Sequence, residues 1–302
     1  MSHAVRPEGG PVLTSAPARV LENRPRALDL YEIVLLAPAG WGSARAGQFV
    51  QLDCPPRSQF GFRRPFSLAG CRPVADGVEL RIVYGVVGTR TRALARVEAG
   101  EDLGVIGPIG RPFAIVPDRR PIALGGGRGV APMLMLARQC VREVAGGEAG
   151  EVVRDGLLLY GARTAELLWI PEEVPWELHL ATDDGSFGFA GHLVALLDAL
   201  RREGRVRAER DALYACGPNV MLASLSSWAE AYGFPCQVSL ETHFGCGLGI
   251  CAGCAVPVRA VPAVAGAAEG DAAGDAFDRY VFACREGPVF DSRRVEWDGV
   301  AE

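Results

Sequence analysis

Between Arg19 and about Val116, apolar and polar residues alternate in short bursts separated by turn residues. Leu30-Tyr31-Glu32-Ile33-Val34-Leu35-Leu36 ends at Ala37-Pro38-Ala39-Gly40, Gln48-Phe49-Val50-Gln51-Leu52 ends at Cys54-Pro55-Pro56, and Val78-Glu79-Leu80-Arg81-Ile82-Val83-Tyr84 runs into glycine. Many short half-buried strands at this spacing predict a small antiparallel barrel. After Arg119 the period changes. Ile122–Leu124, a glycine loop and Met133–Arg138 read as strand, turn and helix. Further strands are expected at Gly156–Gly161, Leu178–Thr182 and Ala212–Cys216, with a helix from about Val220 to Tyr232. Strands alternating with helices imply a parallel sheet whose strand C-termini form the ligand crevice. A third segment opens with the strand Gln237–Gly245 and passes into a cysteine-rich loop. The expected division is a flexible tail over 1–18, a barrel over 19–118, an α/β domain over 119–235 and a small module over 236–302.

Composition narrows the class. The chain has 302 residues, 49% of them hydrophobic, without an apolar run long enough to span a bilayer, so no membrane span is expected. The first ten residues lack the apolar segment of a signal peptide, which points to a cytoplasmic protein whose thiols stay reduced. All 31 basic residues are arginines, and the net charge is −5. Lysine-free composition is a global bias that promotes no single arginine to a site, and acidic balance without a basic run argues against nucleic-acid binding.

Four of the nine cysteines form a pattern: Cys246, Cys251 and Cys254 spaced C-x4-C-x2-C, then a distant Cys284. That spacing is the plant-type [2Fe-2S] arrangement, and the glycines between the cysteines let backbone N–H groups approach sulfur. A zinc site is the competing chemistry, but only Cys251 and Cys254 make a compact pair. The stretch from Ala260 to Asp275 reads as a surface loop. It costs little, because loop closure grows by only about 0.6 kcal/mol per doubling of length. Cys54, Cys71, Cys140 and Cys236 read as small buried residues.

The remaining motifs are individually weak. Arg64-Pro65-Phe66-Ser67 offers a guanidinium, an aromatic ring and a hydroxyl on one strand. Tyr84-Gly85-Val86-Val87-Gly88-Thr89-Arg90-Thr91 is a glycine turn entering a helix, and Gly125-Gly126-Gly127-Arg128-Gly129 another. Gly161-Ala162-Arg163-Thr164 and Thr182-Asp183-Asp184-Gly185 fall at strand ends, where they could flank an adenosine or serve as ordinary turns. His179 and His192 lack any partner pattern and read as structural.

Taken in order, these motifs resemble the ferredoxin–NADP reductase superfamily. With Ala215-Cys216-Gly217-Pro218, Ser239-Leu240-Glu241, the cysteine loop and Cys284-Arg285-Glu286-Gly287-Pro288, the chain is similar to the electron-transfer subunits of type 1B dihydroorotate dehydrogenase over nearly its whole length. The resemblance implies an FAD-binding barrel, an NAD-binding α/β domain and a C-terminal [2Fe-2S] module. Arg64, Pro65, Phe66, Ser67, Val83, Tyr84, Gly85, Arg90 and Thr91 would hold FAD. Gly125, Gly126, Gly127, Gly129, Asp183, Asp184, Gly217 and Pro218 would hold NAD, with Cys216 at the nicotinamide. Departures are Arg90, where a second glycine is usual, Phe244, where methionine is common, and the long insertion before Cys284. The implied activity is an electron relay from an FMN-containing catalytic subunit, in a heterotetramer, through the cluster and FAD to NAD+. The same architecture also serves ferredoxin:NADP transhydrogenases and sulfide dehydrogenases, and a zinc-stabilised nucleotide sensor is the non-enzymatic alternative.

Overall fold

A computed structural model of the protein describes residues 14–55, 63–142, 155–259 and 279–300. The alternating bursts close into an antiparallel barrel of β1 (Thr14–Ala27), β2 (Leu30–Ala37), β3 (Phe49–Leu52), β4 (Arg64–Val74), β5 (Gly77–Gly85) and β6 (Asp102–Ile109), in the order β1-β2-β5-β4-β3-β6. The apolar half of each alternation fills the interior: Ile33, Leu35, Val50, Leu52, Leu68, Leu80 and Ile82 are fully buried beneath Trp41. Residues 14–18 are not tail, because β1 pairs with β6 from Thr14↔Gly107 onward. Residues 1–13 lie outside the described residues, as does the expected insertion loop. A short helix, α1 (Thr89–Leu94), bridges β5 and β6.

The second layer is a seven-stranded sheet. It runs through β7 (Arg120–Gly126), α2 (Val130–Arg142), β8 (Leu157–Ala162), β9 (Glu177–Thr182), β10 (Phe189–Ala190), α3 (Leu193–Arg202), β11 (Asp211–Cys216), α4 (Asn219–Tyr232) and β12 (Cys236–Ser239). The strand order is β10-β9-β8-β7-β11-β12-β15, parallel except for the edge strand β15 (Val289–Asp291). The boundary expected at Cys236 is therefore displaced. Both ends of the C-terminal segment, β12 and β15, are strands of the nucleotide sheet, and only the stretch between them stands apart, with its own hairpin of β13 (Ala255–Pro257) and β14 (Tyr280–Phe282).

Two sets of contacts fix the barrel on the sheet. From α2, Gln139 donates to the Ala44 carbonyl at 2.9 Å and accepts from the Ala46 amide at 2.8 Å, while Arg138 donates to Ala69 O at 3.1 Å. On the cysteine side, Phe49 of β3 meets Phe244 with ring centroids 4.7 Å apart, and the Arg111 amide donates to Gly287 O. No helix among the described residues is long and apolar enough to cross a membrane.

Candidate active site

In the strand order β7 and β11 are neighbours, and the connection leaving β7 runs to β8 on one side while the connection leaving β11 runs to β12 on the other. An open sheet forms its ligand crevice at such a point. A cleft of about 820 Å³ lies there, walled on the barrel side by Leu28, Asp29 and Gly85 and on the sheet side by Gly126, Gly127, Arg128, Arg163, Asp183, Pro218 and Met221.

The glycines of the β7 loop do different jobs. A Cβ on Gly129 would fall 2.1 Å from the Cys216 carbonyl oxygen, one on Gly125 2.7 Å from Val130 Cα, and one on Gly126 2.7 Å from Met221 Sδ. Those three allow the loop to pack on itself and on the turn after β11. Gly217, at φ +159°, packs its backbone against Gly126 in the same way. Only Gly127, at φ +54° with nothing within 4 Å, presents bare backbone to the cleft. Arg128 leaves the same loop and crosses to the barrel, lying over Gly85. Sequence reasoning overlooked Arg128, although it sits inside the glycine motif.

Cys216 does not face the cleft. It is 2% exposed, and burial pushes its thiol far above the ordinary range. The cleft is lined instead by its neighbours Pro218, Val220 and Met221. Asp183 lines the cleft beside Arg163, but Asp184 turns away: it accepts from Ser186 N at 3.0 Å and Ser186 Oγ at 2.6 Å, hydrogen bonds that hold its carboxyl below the usual carboxylate range. Of the two adjacent aspartates only Asp183 lines the cleft, together with Arg163, and Asp29, Glu241 and Arg128 line it as well. His192 also borders the cleft, as the N-cap of α3.

On the barrel, Arg64, Pro65, Phe66 and Ser67 form the start of β4, with Arg64 exposed. The Tyr84 side chain is buried, 1% exposed: its hydroxyl donates to Asn23 Oδ1 at 2.9 Å, and its ring packs edge-on to Phe66 at 5.8 Å. Val83 is likewise core. The Thr91 hydroxyl closes its own turn, accepting from Val87 N at 3.0 Å and Gly88 N at 3.1 Å. Arg90 takes an ordinary helical place in α1 and donates to Cys54 O at 3.0 Å, so no second glycine is needed there.

The four patterned cysteines fall into two pairs of contrasting character. Cys246 and Cys251 lie at the surface, and the amides of Leu248, Ile250 and Cys251 donate to Cys246 Sγ at 3.3–3.4 Å while Cys246 N donates to Cys251 Sγ at 3.4 Å. Positive φ at Gly247 (+70°), Gly249 (+76°) and Ala252 (+54°) turns these amides inward. Partial burial opposes ionisation of Cys246, but the three amides outweigh it and bring the thiol down to about 6. Cys254 and Cys284 are buried with sulfurs 3.3 Å apart, and burial followed by the Cys254 neighbour raises Cys284 to about 12. Among the described residues no three His, Cys, Asp or Glu side chains converge on one ion. The four thiols thus stand as two pairs, one cradled by amides and one buried. Cys236 sits in β12, away from both pairs, its thiol raised to about 12 by burial.

A scan against models of known protein families finds no match. The chain is 30% identical over 280 residues to the dihydroorotate dehydrogenase B (NAD(+)) electron transfer subunit of Caldanaerobacter subterraneus subsp. tengcongensis, covering 92% of this chain and 97% of that one. It is 32% identical over 289 residues to the subunit of the same name from Geobacillus kaustophilus, covering 94% and 97%. Among solved structures, an NADH-dependent reduced ferredoxin-NADP oxidoreductase superposes with a TM-score of 0.74 at 28% identity, covering 94% of this chain and 91% of that one. The ferredoxin reductase of carbazole 1,9a-dioxygenase shares the fold, with a TM-score of 0.61 at 23% identity over 74% of this chain and 67% of that one.

Proposed function

The chain belongs to the family of dihydroorotate dehydrogenase B (NAD(+)) electron transfer subunits, and on that premise we propose that it relays electrons in the cytoplasm from an FMN-containing, dihydroorotate-oxidising partner to NAD+. The observation that carries the reading is the cysteine loop. Its amide-cradled pair and its buried pair supply the four thiolates a [2Fe-2S] cluster requires, at the spacing such a cluster uses. Cys246, Cys251, Cys254 and Cys284 would hold that cluster, Arg64 and Ser67 the flavin, and Gly127, Arg163 and Asp183 the nucleotide. When bound, a flavin exchanges electrons singly or in pairs, which joins a one-electron cluster to a two-electron nicotinamide.

The residues do the positioning. The bare backbone of Gly127 admits a diphosphate, Pro218 and Met221 give the cleft an apolar wall, and Phe49 against Phe244 holds the cysteine loop to the barrel. The relatives' name, an electron transfer subunit, supports a separate catalytic partner. The test is the visible spectrum of the purified chain, its iron, sulfide and flavin content, and mass analysis of the protein that copurifies with it. Flavin, two irons and an FMN-bearing companion are expected. A colourless zinc protein would overturn the reading.

A second reading has its own support. Arg163 in the cleft, and the likeness to an NADH-dependent reduced ferredoxin-NADP oxidoreductase, favour a transhydrogenase-type subunit that exchanges electrons with ferredoxin. A copurifying protein without FMN that reduces ferredoxin would select it.

A further inference from the structure

Among the described residues, Gln51 alone has both polar atoms of a buried side chain without a hydrogen bond. It is 1% exposed. Its near neighbour Gln48, equally enclosed, satisfies both ends: Oε1 accepts from the Arg45 amide at 2.9 Å and Nε2 donates to Gly110 O at 2.8 Å. A buried carboxamide with no partner is a substantial loss for a marginally stable fold, so such a group calls for a ligand.

The position of Gln51 indicates which ligand. Along β3 the side chains alternate, and Val50 and Leu52 enter the barrel core while Phe49 and Gln51 take the outer face. On that face Phe49 packs against Phe244 at the entrance to the cysteine loop. The carboxamide of Gln51 lies over Gly247, so close that a Cβ there would come within 2.6 Å of Nε2. Gly247 directly follows Cys246, whose sulfur already collects three backbone amides. In the other direction β3 pairs with β4, Gln51 opposite Pro65 and Phe49 opposite Ser67. One strand therefore separates the proposed flavin strand from the cysteine loop.

We propose that Gln51 is a tuning residue for the iron–sulfur centre: its side-chain N–H groups donate to sulfur of the cluster held by Cys246, Cys251, Cys254 and Cys284, setting its reduction potential from the barrel side. The proposal rests on the cluster reading above. Reduction adds negative charge to the centre, and a donor aimed at sulfur stabilises the reduced form more than the oxidised one. Removing the donor lowers the potential. Hydrophobic enclosure of the amide strengthens the effect, because no water competes for it.

The experiment is a redox titration of the purified chain followed by electron paramagnetic resonance, comparing the parent with Gln51→Leu and the near-isosteric Gln51→Met. Both variants are expected to keep their iron, sulfide and flavin. At the parent's midpoint, their ratio of reduced to oxidised cluster should fall about tenfold, a shift of about 59 mV for a one-electron couple, with the flavin potential unmoved. An unchanged cluster potential in a loaded variant overturns the proposal, and so does a shift confined to the flavin. Loss of the cluster from Gln51→Met would make the residue a structural support and overturn the tuning role. A parent chain without any cluster signal overturns this proposal together with the reading beneath it, whereas a normal parent signal with unmoved variants overturns the proposal alone.

Discussion

In the loop after β7, Gly125, Gly126 and Gly129 lie against other parts of the protein, with virtual Cβ contacts of 2.7, 2.7 and 2.1 Å. In the cysteine loop, Gly247 and Gly249 serve by conformation, their φ of +70° and +76° turning amides onto a sulfur. The first loop is glycine-rich so that it can pack; the second donates hydrogen bonds as well as packing, since a Cβ on Gly247 would fall 2.6 Å from Gln51 Nε2 and one on Gly249 2.2 Å from Arg285 Cδ. Both read alike in a sequence, as backbone brought close to something, and only the three-dimensional neighbours reveal whether that something is protein or ligand.

The largest effect should come from the second loop. Replacing Cys254 or Cys284 by serine is expected to abolish the cluster, while Cys236→Ser in β12 keeps it, with iron and sulfide analysis as the measure. Retention of full iron in Cys284→Ser would break the comparison, because the buried pair would then be packing rather than ligation. In the first loop, Gly129→Ala must displace the Cys216 carbonyl and is expected to cost about 3 kcal/mol of stability or more, read from the urea midpoint. Gly127→Ala meets open space at positive φ and should cost only about 1–2 kcal/mol, while raising KM for NADH. Equal destabilisation by the two would mean that the loop relaxes as a unit.

A pH experiment sharpens the contrast within the cysteine pairs. In metal-free chain, Cys246 should alkylate with half-maximal rate near pH 6 while Cys284 stays unreactive to about pH 12, followed by mass spectrometry after iodoacetamide. The linkage sign follows. The folded value of Cys246 lies below its ordinary 9.0, so the stability it contributes is fully present above pH 9 and is lost as pH falls through about 6. The smallest effects belong to the nucleotide wall. Arg163→Ala should lower kcat/KM for NADPH relative to NADH by about tenfold, whereas Asp184→Ala, which only opens a surface turn, should change neither ratio and cost about 0.5 kcal/mol or less.

The barrel, the parallel sheet and their order were legible in the sequence, because alternation of period two and the strand–glycine–helix pattern are local signals. The cysteine spacing was equally plain, and the structure groups those four thiols into two pairs. The side-chain surroundings of Cys216, Tyr84 and Asp184 were not: whether a side chain faces a cleft or a core depends on which strand flanks it, and Tyr84 finds Asn23 of β1 while Asp184 finds Ser186. Membership of β12 and β15 in one sheet was hidden for the same reason, since their pairing joins segments separated by the whole cysteine module. Gln51 escaped notice because an alternating strand gives no sign of what lies over its outer face.

That shared sheet bears on how such a protein can be rebuilt. The chain leaves the sheet at Leu240 and returns at Pro288, and there the Leu240 amide donates to the Pro288 carbonyl at 3.0 Å. The cysteine-bearing excursion therefore leaves and rejoins the sheet through one closed stem, with further contacts to the barrel at Phe49 and to the C-terminal segment at Arg294. A tight reverse turn spliced across that stem would leave every parallel strand in register and remove only the cysteine-bearing excursion. The converse operation, splicing the excursion between two edge strands of a plain reductase, is the natural way to graft a cysteine loop onto one, and it suggests how a modular lineage gains or sheds it.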